Sequence, residues 1–175
     1  MTNVDEQINP EPPLAGDNTA ILLGFLERQR ATFAWKSGGL DGAGLRATAG
    51  ASAMTLGGML KHLAYVEDWW LGERLAGDPP APPWDSAPWE QDEDWDWHSA
   101  DGEAPEELQA LYEASVQRAD AVLEGRSPDD LAATTMRDGG AMNVRFVLLH
   151  LIEEYARHAG HADLLRESID GSTGR

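Results

Sequence analysis

The sequence contains no cysteine, so no disulfide framework can stabilise the fold. For the same reason, no thiolate of the protein can act as a nucleophile or as a soft metal ligand. The sequence also lacks an apolar run of about 18 residues, the length that a membrane-spanning helix needs. The N-terminal segment is acidic and proline-rich, whereas a secretion signal would be basic and then apolar. These features predict a cytoplasmic protein with no membrane partner, in which any sulfur chemistry uses a thiol from outside the chain.

Positive charge is scarce, because 13 Lys and Arg residues stand against 31 Asp and Glu residues, for a formal net charge of -18. Such a surface repels phosphate backbones, so no nucleic acid partner is expected. The 175 residues, of which 42% are hydrophobic, suffice for one domain with a sizeable core. We predict a disordered tail over residues 1–16 and a single domain over residues 17–171.

Four segments have the apolar periodicity of amphipathic helices, and each starts at a residue suited to a helix N-terminus. They run from Asp17 through Trp35, from Thr55 to about Trp70, from Pro105 to about Val122, and from Asn143 to about Ile169. No convincing strand alternation is present, and residues 125–140 are predicted to form a loop. The predicted fold class is therefore all-α, a four-helix bundle with long connecting loops.

The connector over residues 77–101 contains four tryptophans, at positions 84, 89, 95 and 97. Four indole rings are a large apolar surface to leave in water, so we expect the connector to pack on the helices. Two roles stay open for it, a filler of a gap between helices and a lid over a substrate site.

Ionisable residues occupy the inward face of the last helix. Positions 147, 151, 154, 158, 161 and 165 share one face, and Glu154, His158 and His161 hold three of them. Burying a carboxylate is costly unless it is paired, hydrogen-bonded or bound to a cation. A lone histidine on such a face is more often a hydrogen-bonded core residue, and we interpret His150 in that way. Three ionisable residues in one stripe instead indicate a divalent metal site.

Glu154 and His158 are four residues apart, which places a carboxylate oxygen and an imidazole nitrogen on one patch. A third ligand has to come from a facing helix, and His62 on the inward edge of the second helix is the candidate. The resulting set of two imidazoles and one carboxylate leaves coordination positions open, as catalytic sites do. His161 could replace Glu154 as a ligand or donate a hydrogen bond to a bound substrate. We favour the second, catalytic role for His161.

At these residues the chain resembles a known family. The segments TLGGMLKHLAYVEDWW (55–70) and NVRFVLLHLIEEYARHAGHADLLRESIDG (143–171) are similar to the two signature helices of DinB-like metalloenzymes. The resemblance is strongest to the actinobacterial branch of mycothiol-dependent S-transferases, and it extends over most of the chain from about Asp17. It implies a four-helix bundle, often a homodimer, that binds zinc or a similar divalent ion through His62, Glu154 and His158. Glutamate at position 154 is similar to mycothiol-dependent maleylpyruvate isomerase, whereas many relatives have histidine there.

The resemblance implies a metal-dependent thiol S-transferase, in which mycothiol is held as a metal-bound thiolate and conjugated to an electrophile for detoxification. Zinc is the metal expected first, and nickel, iron and manganese suit the same donor set. One alternative is a hydrolase or isomerase of the same fold. Another is a metal-binding stress-response bundle without turnover, since fold does not determine function. The sequence does not indicate which electrophile is used.

Overall fold

The computed structural model of the chain describes residues 10–174, and this part of the chain is mostly helical. Its α-helices are, in chain order, α1 (Asn18–Ser37), α2 (Gly42–Leu45), α3 (Leu56–Glu67), α4 (Trp95–His98), α5 (Pro105–Leu123) and α6 (Val144–Asp170). A π-helix over Asp68–Ala76 continues α3 directly, and short 3-10 turns cover Trp84–Ser86 and Ser99–Gly102. Two strands, β1 (Leu131–Thr135) and β2 (Ala141–Asn143), lie between α5 and α6.

The predicted tail is only partly covered, because residues 1–9 lie outside the described residues. Residues 10–16 contain no helix or strand. Pro12 and Pro13 lie against α1, where a Cβ atom added to Gly24 would come within 2.7 Å of Pro13 Cδ. The boundary of the domain at residue 17 stays a prediction.

The long helices start at the residues that the sequence indicated. The side chains of Asp17, Thr55 and Asn143 each accept a hydrogen bond from the backbone N–H three residues later, at distances of 2.8 to 3.0 Å. Such caps satisfy donors that the first helical turn leaves unpaired. Pro105 is the first residue of α5, where its missing N–H costs no helical hydrogen bond.

The long helices pack in pairs, α1 against α6 and α3 against α5, and α3 also contacts α6. Aromatic rings join three of these helices, since Phe33 meets Tyr112 and Tyr155 edge to face at centroid distances of 5.7 and 6.3 Å. Packing of this kind buries the inward faces of the helices and excludes water. The polar residues on those faces are therefore held inside the protein, where α3 and α6 meet.

The segment before α6 differs from the prediction. Residues 125–140 were expected to form a loop, but β1 pairs antiparallel with β2 through Leu131 opposite Asn143 and Thr135 opposite Ala141. The prediction of a loop is wrong at this hairpin, whereas the mostly helical chain agrees with the predicted all-α class. Gly139 has a φ of 83° and so adopts the left-handed conformation that the turn between the strands requires. The Thr134 hydroxyl donates to the backbone oxygen of Arg74 at 3.0 Å, which fixes the hairpin to the π-helix.

The tryptophan-rich connector packs on the helices, as expected. Trp84 is buried, and its indole N–H donates to Asp68 Oδ2 at 2.8 Å. The other three tryptophans are partly buried against the same core. Among residues 10–174, no helix is both long and apolar enough to cross a bilayer.

Candidate metal centre

The three predicted metal ligands come from two helices that face each other. His62 lies in the middle of α3, and Glu154 and His158 lie one turn apart on α6. One potential ligand atom from each residue lies within 4.8 Å of those of the other two. His158 Nε2 is 3.5 Å from Glu154 Oε2, and the rings of His62 and His158 are 5.0 Å apart between centroids. The structure brings together the residues that the helical spacing selected, and metal binding by them stays a prediction.

The surroundings of His158 suit a metal ligand. Burial is the largest cause that lowers the pKa of His158 to about 4, and nearby His62 and His161 act in the same direction. The imidazole is therefore neutral at pH 7 and retains a lone pair for a cation. Its Nδ1 atom is buried and has no hydrogen-bond partner among the described residues. The nitrogen of His158 that faces Glu154 is Nε2, and a divalent ion beside two imidazoles and a carboxylate fits this set of donors.

Asp96 contacts a proposed ligand, although the sequence did not single it out. It lies in α4, in the tryptophan-rich connector, and its Oδ2 is 2.6 Å from Nδ1 of His62. Because an ionised carboxylate only accepts hydrogen bonds, the Nδ1 proton of His62 points at Asp96 and leaves Nε2 free for a metal. A carboxylate behind a ligand histidine fixes its orientation and raises its basicity. The sequence contains one indication of this contact, because Asp96 lies between Trp95 and Trp97, whose rings are expected to pack on the helices.

Trp97 lies over the histidines. Its ring stacks on His62 at a centroid distance of 4.6 Å and lies 5.5 Å from the ring of His158. This approach depends on Gly58, because a Cβ atom at that position would lie 2.9 Å from Trp97 Cε3. The connector thus contributes two contacts to the site. Asp96 accepts a hydrogen bond from His62, and Trp97 packs against both imidazole rings. The position of the connector favours a role in the site over that of a remote filler.

His161 lies beside the group but outside it. Its ring centroid is 5.8 Å from that of His158, and its Nδ1 atom is buried without a hydrogen-bond partner among the residues described. The geometry keeps it available for a hydrogen bond to a bound molecule, and its catalytic role stays a prediction.

His150 lies on the other side of Glu154, with its Nε2 at 3.7 Å from Glu154 Oε1. Its ring packs on Trp70 at a centroid distance of 4.3 Å. At 3.7 Å the two atoms are beyond hydrogen-bond distance, so the interpretation of His150 as a core or neighbour-bonded residue stays a prediction. His150 also lines a cavity next to the site.

The protein is thus a helical protein in which two facing helices bring two imidazoles and a carboxylate together as a candidate metal centre. Comparison with protein families agrees with the resemblance found in the sequence. The chain belongs to the mycothiol S-transferase family, a DinB-like family, because the family model "Mycothiol-S-transferase" matches residues 21–171. No individual curated protein matches the chain.

Proposed function

We propose that the protein is a metal-dependent thiol S-transferase that uses mycothiol and binds a divalent ion, zinc in the first place, through His62, Glu154 and His158. The family match supports the transferase reaction and the thiol. The observation that carries the proposal is the preformed group of three potential ligand atoms, which lie within 4.8 Å of one another. The absence of cysteine agrees with it, since the sulfur then comes from the small thiol.

The same proposal includes the finer fold assignment. We infer that α1, α3 with its π-helix, α5 and α6 form one four-helix bundle, and that residues 17–171 are a single domain. The pairing of α1 with α6 and of α3 with α5, with α3 against α6, supports this arrangement. The soluble, cytoplasmic setting and a role in detoxification belong to the proposal as well.

The residues around the candidate centre have separable roles. A bound divalent ion would lower the pKa of an external thiol and favour the nucleophilic thiolate. His62 is oriented for this task by Asp96, and Glu154 supplies the negative charge that offsets part of the charge of the ion. Trp97 would shield one face of the His62 ring and part of the His158 ring from water. His161 would donate a hydrogen bond to the electrophile or its leaving group.

The first test is metal content and thiol-dependent turnover of protein made without a polyhistidine tag. We expect about one divalent ion per chain and faster consumption of monobromobimane when mycothiol and protein are both present. His62→Ala should lose both properties. His98→Ala is the matched control, because the side chain of His98 is exposed and pairs with Asp92 instead of a proposed ligand.

Two outcomes would overturn the proposal. Unchanged metal content in His62→Ala would reject the ligand set. Turnover of a substrate at the same rate with and without added thiol would replace the transferase by a hydrolase or isomerase, in which the ion activates water or polarises a carbonyl.

A further inference from the structure

A cavity of about 340 Å³ borders the candidate metal centre. His62 and Glu154 form one wall of it. The remaining walls are formed by Tyr65, Val66, Trp69, Trp70 and His150. The volume lies at the small end of the range for ligand sites, about 300 to 1,000 Å³. The cavity is therefore open toward two of the proposed ligands and is otherwise mostly aromatic.

The aromatic walls are held in place by further rings. Tyr65 packs on Trp84 and Trp89 at centroid distances of 5.2 and 4.8 Å, so the connector supports it. Trp69 and Trp70 meet edge to face at 4.7 Å. Because rings packed in this way have few alternative rotamers, the cavity is preorganised for a flat molecule.

The two tryptophans of this wall lie at the change from α-helix to π-helix. Trp69 and Trp70 are the second and third residues of the π-helix that begins at Asp68, and both line the cavity although they are adjacent in sequence. In a regular α-helix, adjacent residues point about 100° apart. Widened π turns occur often at functional sites, and here one lies beside the proposed ligands.

The cavity has no fixed positive charge. Neither Lys nor Arg is found among the described residues that line it. Arg74 is nearby, but its guanidinium lies over the Trp69 ring at 4.5 Å. Burial, followed by the negative charges of Glu73 and Asp96, raises the pKa of Tyr65 to about 12, so its phenol is neutral. The walls therefore favour an uncharged molecule over a carboxylate-bearing one.

We propose that this cavity binds the electrophile of the transfer reaction, and that the preferred electrophile is a flat, uncharged aromatic compound. The inference rests on the proposed function for its chemistry. The thiol sulfur forms a bond to the electrophilic carbon, and the bond from that carbon to the leaving group breaks. A halide leaves with the bonding electron pair, and the thiol proton goes to solvent.

Binding can be tested without turnover. The probe is a bimane that carries methyl in place of bromomethyl, which cannot react, and the readout is quenching of its fluorescence by the tryptophans of the metal-loaded protein. We expect Trp69→Leu and Val66→Phe, which respectively remove a wall and fill the space, each to weaken binding about tenfold. Trp35→Leu is the matched control, since Trp35 is exposed on α1 and does not line the cavity. Metal content should be the same in all four proteins.

Turnover supplies the second arm. With mycothiol, the two cavity variants should raise KM for 1-chloro-2,4-dinitrobenzene about tenfold and leave KM for mycothiol unchanged. In the unsubstituted protein, 4-chloro-3,5-dinitrobenzoate should have a kcat/KM at least about tenfold lower, after division by its uncatalysed rate. Its carboxylate meets no Lys or Arg among the lining residues, and the charge of a divalent ion would already be balanced by Glu154 and the bound thiolate.

The outcomes separate this inference from the proposed function. If bimane binding weakens in the variants but no thiol transfer occurs with any electrophile, the proposed function fails and the cavity assignment stands. If transfer occurs and KM for mycothiol rises instead, the cavity holds the thiol and the inference is wrong. Equal kcat/KM for the neutral and carboxylated compounds would also overturn it.

Discussion

His62 depends on a residue far from it in the chain. Its Nδ1 atom meets Asp96, which lies 34 residues away and is buried in the connector. The hydrogen bond selects the tautomer that presents Nε2 to the interior. The orientation of the His62 ring, and with it the geometry of the candidate site, therefore depends on both α3 and the connector.

Asp96→Asn should weaken divalent metal binding about 10- to 100-fold, because an amide is a poorer acceptor for the His62 Nδ1 proton and can turn a donor toward it. Competition of the purified protein with a chelator of known affinity measures the change. Asp92→Asn is the control, since Asp92 meets His98 at the surface in the same type of pair. An Asp96→Asn protein with unaltered affinity would show that the carboxylate is only structural.

A second buried charge has a purely structural role. Glu67 is buried in α3, and Arg30 donates to both of its oxygens at 2.7 Å. The Tyr155 hydroxyl donates to the same carboxylate at 2.8 Å. These bonds join α1, α3 and α6 and leave the carboxylate well satisfied.

Glu67→Gln should lower the free energy of unfolding by about 3 to 5 kcal/mol, because the Arg30 guanidinium loses its buried counter-charge. Tyr155→Phe should cost only about 1 kcal/mol, since both bonds from Arg30 remain. Urea unfolding followed by circular dichroism measures both. Glu153→Gln, in an exposed pair with Arg157, should change stability by less than about 0.5 kcal/mol. Similar losses for Glu67→Gln and Glu153→Gln would contradict the argument.

At the scale of elements, the sequence predicted what local interactions decide. Asp17, Thr55 and Asn143 were recognised as helix starts because each cap bonds to a backbone group three residues away. The β-hairpin was missed because Leu131–Thr135 is short, and tertiary contacts such as Thr134 with Arg74 stabilise it.

The residues of the candidate site also fall into two groups, those that local sequence pattern predicts and those that depend on tertiary contacts. His62, Glu154 and His158 could be selected because helical periodicity alone places them on inward faces. Asp96 could not be selected with the same certainty, because Trp95 and Trp97 beside it indicate that this segment packs inward but not that it meets His62 on α3.

The connector is attached to the helices through Asp68. Burial alone would raise the pKa of Asp68, but hydrogen bonds from Arg118, Trp84 and Ser115 outweigh this effect and lower the pKa below its usual value. A carboxyl whose pKa is lower in the folded state stabilises the fold above its unfolded pKa of about 4. That contribution is lost as the pH falls through the folded value.

Stability should therefore fall more steeply below pH 4 in the unsubstituted protein than in Asp68→Asn. At pH 7, Asp68→Asn should be less stable by about 1 to 3 kcal/mol, a value kept modest because Arg118 is partly exposed. Urea unfolding at a series of pH values between 7 and 3 measures both effects. Asp129→Asn is the control, because its carboxylate is exposed in a surface pair with Arg145. Parallel pH profiles for the unsubstituted protein and Asp68→Asn would contradict this role.

At the scale of the whole molecule, the candidate site lies where the two helix pairs meet. His62 belongs to the α3 and α5 pair, whereas Glu154 and His158 belong to the α1 and α6 pair. An ion held by all three residues would connect the pairs at their interface. Binding at this position should thus be coupled to the stability of the entire fold, because an ion that prefers the folded state adds its binding free energy to folding.

Zinc at about 100 times its dissociation constant should raise the stability of the metal-free protein by about 2.7 kcal/mol, which corresponds to a rise in Tm of roughly 5 to 10 °C. Differential scanning calorimetry of chelator-treated protein with and without zinc measures the shift. His62→Ala should lose most of the rise, whereas His98→Ala should keep it. The net charge of -18 offers other places for a cation, so this comparison is needed. If His62→Ala showed the full rise, zinc would be binding to the acidic surface, and the interface between the helix pairs would not be its site.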